Sequence, residues 1–267
     1  MKRLVLKFGG TSVGTIEKIK NVANIIKKRH NEGNEIIVIV SAMSNVTNDL
    51  KKQSSVISKN FDDKELDVLL SSGEQVSSSL LSGAIIDSGL KARSWLGWQI
   101  PIFTDDNYTS SQIMKIKTDG ILSFISDGGI AVIAGFQGIS KDNRITTLGR
   151  GGSDLSAVAV AKFFKTDSCE IYTDVEGVLT TDPSIHKKAK KIDKISYEEM
   201  LEMASLGAKV MQPISVQTSM IDDIPIHVRS VFSEKAGTTI TSQSKIDYKK
   251  VVTGIAYSKN DAKVTLV

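Results

Sequence analysis

Lys7 and the glycines behind it carry the first sign of chemistry in this 267-residue chain, in "LVLKFGGTSVGT" (residues 4–15). Lys7 lies in an apolar run between Leu6 and Phe8, and an ammonium so placed needs an anionic partner. That partner is either a core carboxylate or a phosphate lying over Gly9-Gly10, where missing side chains let backbone N–H groups approach. It is not a Walker loop: Gly9 and Gly14 have that spacing, but Thr15 stands where the lysine belongs. The most specific stretch is "TTLGRGGSDLSAVA" (146–159), where Arg150 sits among glycines and Ser153-Asp154 open an apolar helical pattern. Ser153 is the expected N-cap. An arginine fork beside a helix N-terminus suits a carboxylate; the alternative is a tight turn with an ordinary cap. A dinucleotide fingerprint is excluded, because Asp154 takes the third glycine's place.

Two weaker signals follow. Glu74, in "SSGEQVSSSLLSG", shares a helix face with Leu70 and Leu81. It either faces solvent, or receives a substrate ammonium, or orients Lys7. "YTDVEGVLTTDP" (172–183) is either a turn-rich loop or a place where Thr173 and Asp174 hold a nucleotide's ribose or phosphates, with Asp182 nearby. His30, His186 and His227 have neither metal-ligand nor triad spacing.

The elements that must position these residues alternate along the chain. "RLVLKF" reads as a strand, followed by a helix with Ile16, Ile19, Ala23 and Ile26 on one face and Gly33 closing it. "NEIIVIVSAM" and "GIAVIAGF" (129–136) are continuous apolar runs, as in parallel strands buried on both faces. A long helix is expected over about 62–88, with Leu66, Leu69, Val76, Leu80 and Ala84 on its apolar side. "SDLSAVAVAKFF" reads as helix, "CEIYTDV" as strand, "SYEEMLEMASLGA" as a helix with the capping box Ser196/Glu199, and "IPIHVRSVF" as strand. The pattern predicts an α/β fold, a three-layer αβα sandwich with a mainly parallel central sheet. Ligands in such sheets sit beyond the carboxyl ends of the strands, where "GGTS", "SAMSNVTN", "GFQG" and "TDVEG" all fall.

Composition narrows the class. Interspersed charges with a net of +4 give no nucleic-acid footprint, and "HKKAKK" (186–191) reads as a solvated turn. A single cysteine, Cys169, excludes an internal disulfide framework and reads as a small core residue. No run approaches the roughly 18 apolar residues of a membrane span, and the N-terminus reads as a first strand and not a signal peptide. The expected location is cytoplasmic.

Taken together, "KFGGTSVG", "SAMSNVTNDL", "SSGEQVS", "GFQG", "TTLGRGGSD", "YTDVEGV…TTDP", "GAKVMQ" and "IPIHVRSVF" resemble the amino-acid kinase family and, within it, the aspartokinases, in the family's order over about 230 residues. The resemblance implies transfer of the γ-phosphoryl group of ATP, bound with Mg²⁺, to the β-carboxylate of L-aspartate. It implies the first step of lysine, threonine and methionine (diaminopimelate) biosynthesis. By motif, Lys7 and Asp154 would be catalytic, Asp154 organising Lys7. Lys7, Phe8, Gly9, Gly10, Thr173, Asp174, Asp182, Lys209 and Val210 would hold ATP. Ser41, Thr47, Glu74, Arg150, Gly151, Gly152 and Ser153 would line the aspartate site, with Glu74 near the ammonium and Arg150 on a carboxylate.

The sequence departs from the family twice. Pro213-Ile214 follow "GAKVMQ", where members often carry an arginine. Residues 1–243 match the catalytic domain, its N-terminal part for the amino acid and its C-terminal part for ATP; 244–267 read as the truncated start of an ACT-type module. Feedback control through ACT domains is therefore not expected, and a homo-oligomer is expected only in weakened form. The runner-up reading is a non-catalytic, nucleotide-binding subunit that associates through its C-terminal strands. Retention of Lys7, Glu74, Arg150, Asp154 and Asp174 favours activity over that reading.

Overall fold

The computed structural model describes residues 1–208, 210–247 and 252–257. Leu4 to Phe8 are all buried, because β1 (Arg3–Phe8) lies inside a sheet with helices on both faces. On one side of β1 come β2 (Glu35–Val40), β6 (Ile130–Ala134) and β3 (Ala92–Trp95), all parallel to it. On the other side come β9 (Ser168–Thr173) and β11 (Ile226–Ser230), also parallel, then β12 (Thr238–Thr241), antiparallel to β11, and β10 (Lys194–Ser196) at the edge. The mainly parallel sheet expected from the continuous apolar runs is present.

Strand alternation divides the core in two. Leu4, Leu6 and Phe8 pack with α1 (Ile16–Asn31) and with α3 (Asp63–Asp87), the helix that follows α2 (Val46–Ile57). Val5 points the other way, into a core shared with α4 (Asp119–Ser126), α5 (Gly152–Phe163), α6 (Tyr197–Ser205) and α7 (Pro213–Ile221). Lys7 has the parity of Val5, so its side chain emerges on the α5 side. Caps follow the sequence at several ends: Thr15 accepts from Lys18 N, Asp62 from Lys64 and Glu65 N, and Ser196 and Glu199 form the expected capping box. Pro213 opens α7 in the first turn, where a missing N–H costs nothing, so the departure there leaves the helix intact.

Two features differ from expectation. A second sheet of short strands, β4 (Ile102–Thr104), β5 (Ile113–Ile116), β7 (Gln137–Ile139) and β8 (Ile145–Thr147), in the order β5-β4-β7-β8, has no counterpart in the reading above. The apolar side of α3 is also not the inward one: Val76 and Leu80 are exposed, and Leu70, Glu74, Ser77, Leu81 and Ile85 are buried. Small residues win that face because the neighbours come so close. A Cβ on Gly73 would lie 2.8 Å from the Ala42 Cβ.

Cys169 is buried and its thiol is pushed up by that burial, consistent with a core role. His227 is held below the usual imidazole range by burial and meets the Thr239 hydroxyl, away from any ligand set. Among the described residues, no helix is long and apolar enough to cross a membrane. Of the two C-terminal alternating segments, residues 252–257 carry no regular secondary structure, and Ile255 N donates to Thr180 O at 2.8 Å. Residues 258–267 lie outside the described residues.

Candidate active site

Parallel β1, β2, β6 and β9 end on the same edge of the sheet, so their following loops meet there. Gly9 O accepts from Ser12 N at 2.9 Å and Val13 N at 3.2 Å, curling the loop after β1. A Cβ on Gly10 would lie 2.7 Å from Ala42 O, and Ser44 Oγ donates to Gly10 O at 2.9 Å. Glycine at position 10 is thus what lets the loops after β1 and β2 lock together. An ideal Cβ on Gly9 would sit 3.5 Å from Lys7 Nζ, so the bare backbone there borders the ammonium.

Lys7 Nζ pairs with Asp154 Oδ1 at 2.5 Å, and both residues are only 9% exposed. Its partner within the protein is thus a carboxylate, one at the mouth of a cleft and not in the closed core. The α5 N-cap is Gly151, at φ +72°, and not Ser153; no side chain caps the turn. A Cβ on Gly151 would fall 2.3 Å from Gln212 Cγ, and one on Gly152 would fall 2.7 Å from Phe136 Cδ2. Crowding, together with a left-handed backbone, dictates the glycines of "GRGG". Arg150 is exposed at the rim and makes no ion pair with any described residue.

Glu74 does not face solvent: it is 3% exposed. Its Oε1 accepts from Ala42 N at 2.9 Å, and Oε2 is buried with no partner among the described residues. Burial raises the carboxyl to about 7, against which the Ala42 hydrogen bond works only partly. Nor does Glu74 orient Lys7, since Asp154 fills that role. Of the readings offered by sequence, the ammonium receptor remains. A raised carboxyl pKa means that the folded state holds a proton that the unfolded chain has released, so stability falls as pH rises from about 4.5 to about 7. Glu74→Gln is therefore expected to stabilise the protein above neutrality by at most about 3 kcal/mol, and to add nothing below pH 4.5. Denaturant midpoints at both ends of that window measure it; parallel pH profiles for the two proteins would contradict it.

A cavity of about 770 Å³ brings together Lys7, Gly10, Ser41, Thr47, Glu74, Arg150, Gly151, Gly152, Ser153 and Asp154. Thr173, Asp174, Asp182 and Val210 line a second pocket of about 340 Å³, together with Ile255, Ala256 and Tyr257. Lys209 lies outside the described residues. The Phe8 side chain is fully buried and stacks on Tyr172 at 4.7 Å, so only its backbone is available to a ligand. The sequence reading missed Asn45, Thr109, Phe136, Thr147 and Gln212, which also line the large cavity. Asn45 (φ 68°) and Phe136 (φ 67°) are left-handed, a strain that clusters at functional sites. "GFQG" marked the place of Phe136, and asparagine is the commonest non-glycine residue in that conformation.

The chain belongs to the amino acid kinase family, whose sequence profile matches residues 2–230. It is 46% identical over 267 residues to the aspartate kinase of Stutzerimonas stutzeri and 44% identical over 264 residues to an aspartokinase of Geobacillus stearothermophilus. Those matches take in 100% and 99% of this chain but 65% of each relative, so the chain spans about two thirds of their length. Among solved structures, aspartate kinase from Synechocystis superposes with a TM-score of 0.80 at 45% identity, covering 90% of this chain and 40% of that one. Aspartokinase III of E. coli, in complex with aspartate and ADP, gives 0.79 at 26% identity, covering 90% and 64%. UMP kinase from Bacillus anthracis, at 18% identity and 0.66, shares the fold.

Proposed function

We propose that this chain is the catalytic region of an aspartate kinase, passing the γ-phosphoryl group of Mg–ATP to the β-carboxylate of L-aspartate. The observation that carries the reading is a single cleft with receptors for a zwitterion beside a phosphate loop. Glu74 offers a buried, unpartnered oxygen suited to an ammonium, Arg150 an unpaired fork suited to a carboxylate, and Lys7 a cation beside Gly9-Gly10. Similarity to named aspartokinases over the whole chain supports it. In this reading Thr173, Asp174, Asp182 and Val210 serve the nucleotide from the second pocket.

A β-carboxylate oxygen attacks the γ-phosphorus, the bond to the β–γ bridging oxygen breaks, and ADP leaves with that electron pair. The nucleophile is already deprotonated, so no general base is required, and none of the three histidines is needed. Catalysis then rests on in-line positioning and on charge neutralisation by Lys7 and backbone N–H groups. Mg²⁺ would arrive with the nucleotide, held chiefly by its phosphates and by water. The product, 4-phospho-L-aspartate, is the activated carboxyl from which lysine, threonine and methionine synthesis starts. ADP release measured with aspartate, glutamate, acetylglutamate and UMP tests the substrate assignment. Aspartate is expected to dominate; comparable turnover with any of the others would overturn it.

A further inference from the structure

Asp67 is the second buried carboxylate of α3, and the chemistry proposed above makes no use of it. It is 0% exposed and has no cationic partner among the described residues, an arrangement that is costly unless every oxygen is satisfied. Here three donors from two separate segments satisfy it. Thr109 N reaches Oδ1 and Oδ2 at 3.1 and 3.0 Å, Thr147 N reaches Oδ2 at 2.9 Å, and the Thr147 hydroxyl reaches Oδ1 at 2.5 Å. Burial lifts the carboxyl above the usual range, while these bonds pull it back.

The two segments lie against each other. Ser111 N donates to Thr147 O at 2.9 Å, and a Cβ on Gly149 would sit 3.3 Å from Thr109 O. Thr109 holds a left-handed backbone, φ 63°, and Gly149 another, φ 73°. Arg150 is the next residue, and Thr109, Thr147, Gly149 and Arg150 all line the cavity of Glu74. Asp67, Leu70 and Glu74 stand on one face of α3, the two carboxylates two turns and about 10 Å apart along its axis. At one end Glu74 grips the loop after β2 through Ala42 N; at the other Asp67 grips the loops that present Arg150.

We infer that Asp67 is a positioning residue for the amino-acid site, with α3 as a ruler that sets the Arg150 loop against Glu74. The inference rests on the aspartate-site reading given above. Asparagine is only a partial loss, because with its oxygen at the Oδ2 place it still accepts from Thr109 N and Thr147 N while its amide meets the Thr147 hydroxyl; alanine leaves all three donors without an acceptor. Asp67→Ala is expected to raise the KM for aspartate roughly ten- to a hundredfold and leave the ADP Kd within about twofold. Hydrogen exchange is expected to accelerate in peptides covering 105–111 and 144–151 and not in 171–183. A folded variant with unchanged aspartate KM, or with exchange unchanged in the two loops, or with aspartate and ADP binding weakened alike, would overturn the inference. Should Asp67→Ala fail to fold, Thr147→Val removes a single donor and is expected to act in the same direction; unchanged exchange in those loops would overturn it equally. Wild-type protein that makes no aspartyl phosphate would instead sink the functional reading, while the exchange measurement still decides the positioning role.

Discussion

Lys7→Met is expected to leave a folded protein whose turnover has dropped on the order of a thousandfold. Lys7 is set on the central strand, paired on both sides, so its ammonium stands at the strand ends with little freedom. In the proposed transfer it meets charge that builds as the γ-phosphoryl moves, from a residue only 9% exposed, where such a contact acts more strongly than in solvent. The same substitution strands the Asp154 carboxylate, at a cost of a few kcal/mol in stability. Pairing Lys7→Met with Asp154→Asn separates the two effects: the double variant recovers thermal stability and not activity. ADP release and a thermal melt on the three variants measure both. Turnover near that of the wild type in Lys7→Met would reject the catalytic role.

Arg150→Ala is expected to raise the KM for aspartate about a hundredfold while the affinity for ATP stays within about twofold. Arg150 is exposed and supports no ion pair, so its loss shifts stability by no more than about 0.5 kcal/mol. Arg150→Lys is expected to recover only part of the loss, because an ammonium cannot meet a carboxylate with two parallel N–H bonds. Initial-rate kinetics with each substrate varied in turn decide the matter. Equal losses for aspartate and ATP, or full recovery by lysine, would contradict a carboxylate-binding role.

The parts of the fold legible in the sequence are those that obey one rule at a time. β1, β2, β6 and β9 are buried on both faces, so their apolar runs could not be mistaken for surface strands. Glu199 three residues after Ser196 announced α6. Where two demands compete, the reading went astray. On α3 the close approach of Ala42 to Gly73 requires a small residue there, so the buried face mixes Gly73, Glu74 and Ser77 with Leu70, Leu81 and Ile85, and the apolar pattern does not point to it. At α5 the backbone takes its left-handed turn two residues earlier than a serine cap suggests, because Gln212 and Phe136 crowd Gly151 and Gly152. The four short strands of the small sheet are three or four residues long, too short to show a period.

The site was legible where a residue type is improbable in its setting: a lysine inside a strand, an arginine among glycines. Glu74 was visible as a choice among three roles, and only its burial and the Lys7–Asp154 pair removed two of them. Asp67 was invisible. An aspartate in "KELDVLL" looks like any polar position on an amphipathic helix, and its donors come from residues 42 and 80 positions further along the chain.

The central claim is that one cleft holds a zwitterion's two carboxylates and ammonium while a phosphoryl group arrives at the side-chain carboxylate. Trapping with hydroxylamine tests it most directly: the chain is incubated with Mg–ATP and L-aspartate, and the hydroxamate is identified by mass spectrometry. The expected product is the β-hydroxamate of aspartate, formed only when ATP and protein are both present. Absence of any hydroxamate from protein shown to be folded and to bind ATP, or formation of the α-isomer, would contradict the account.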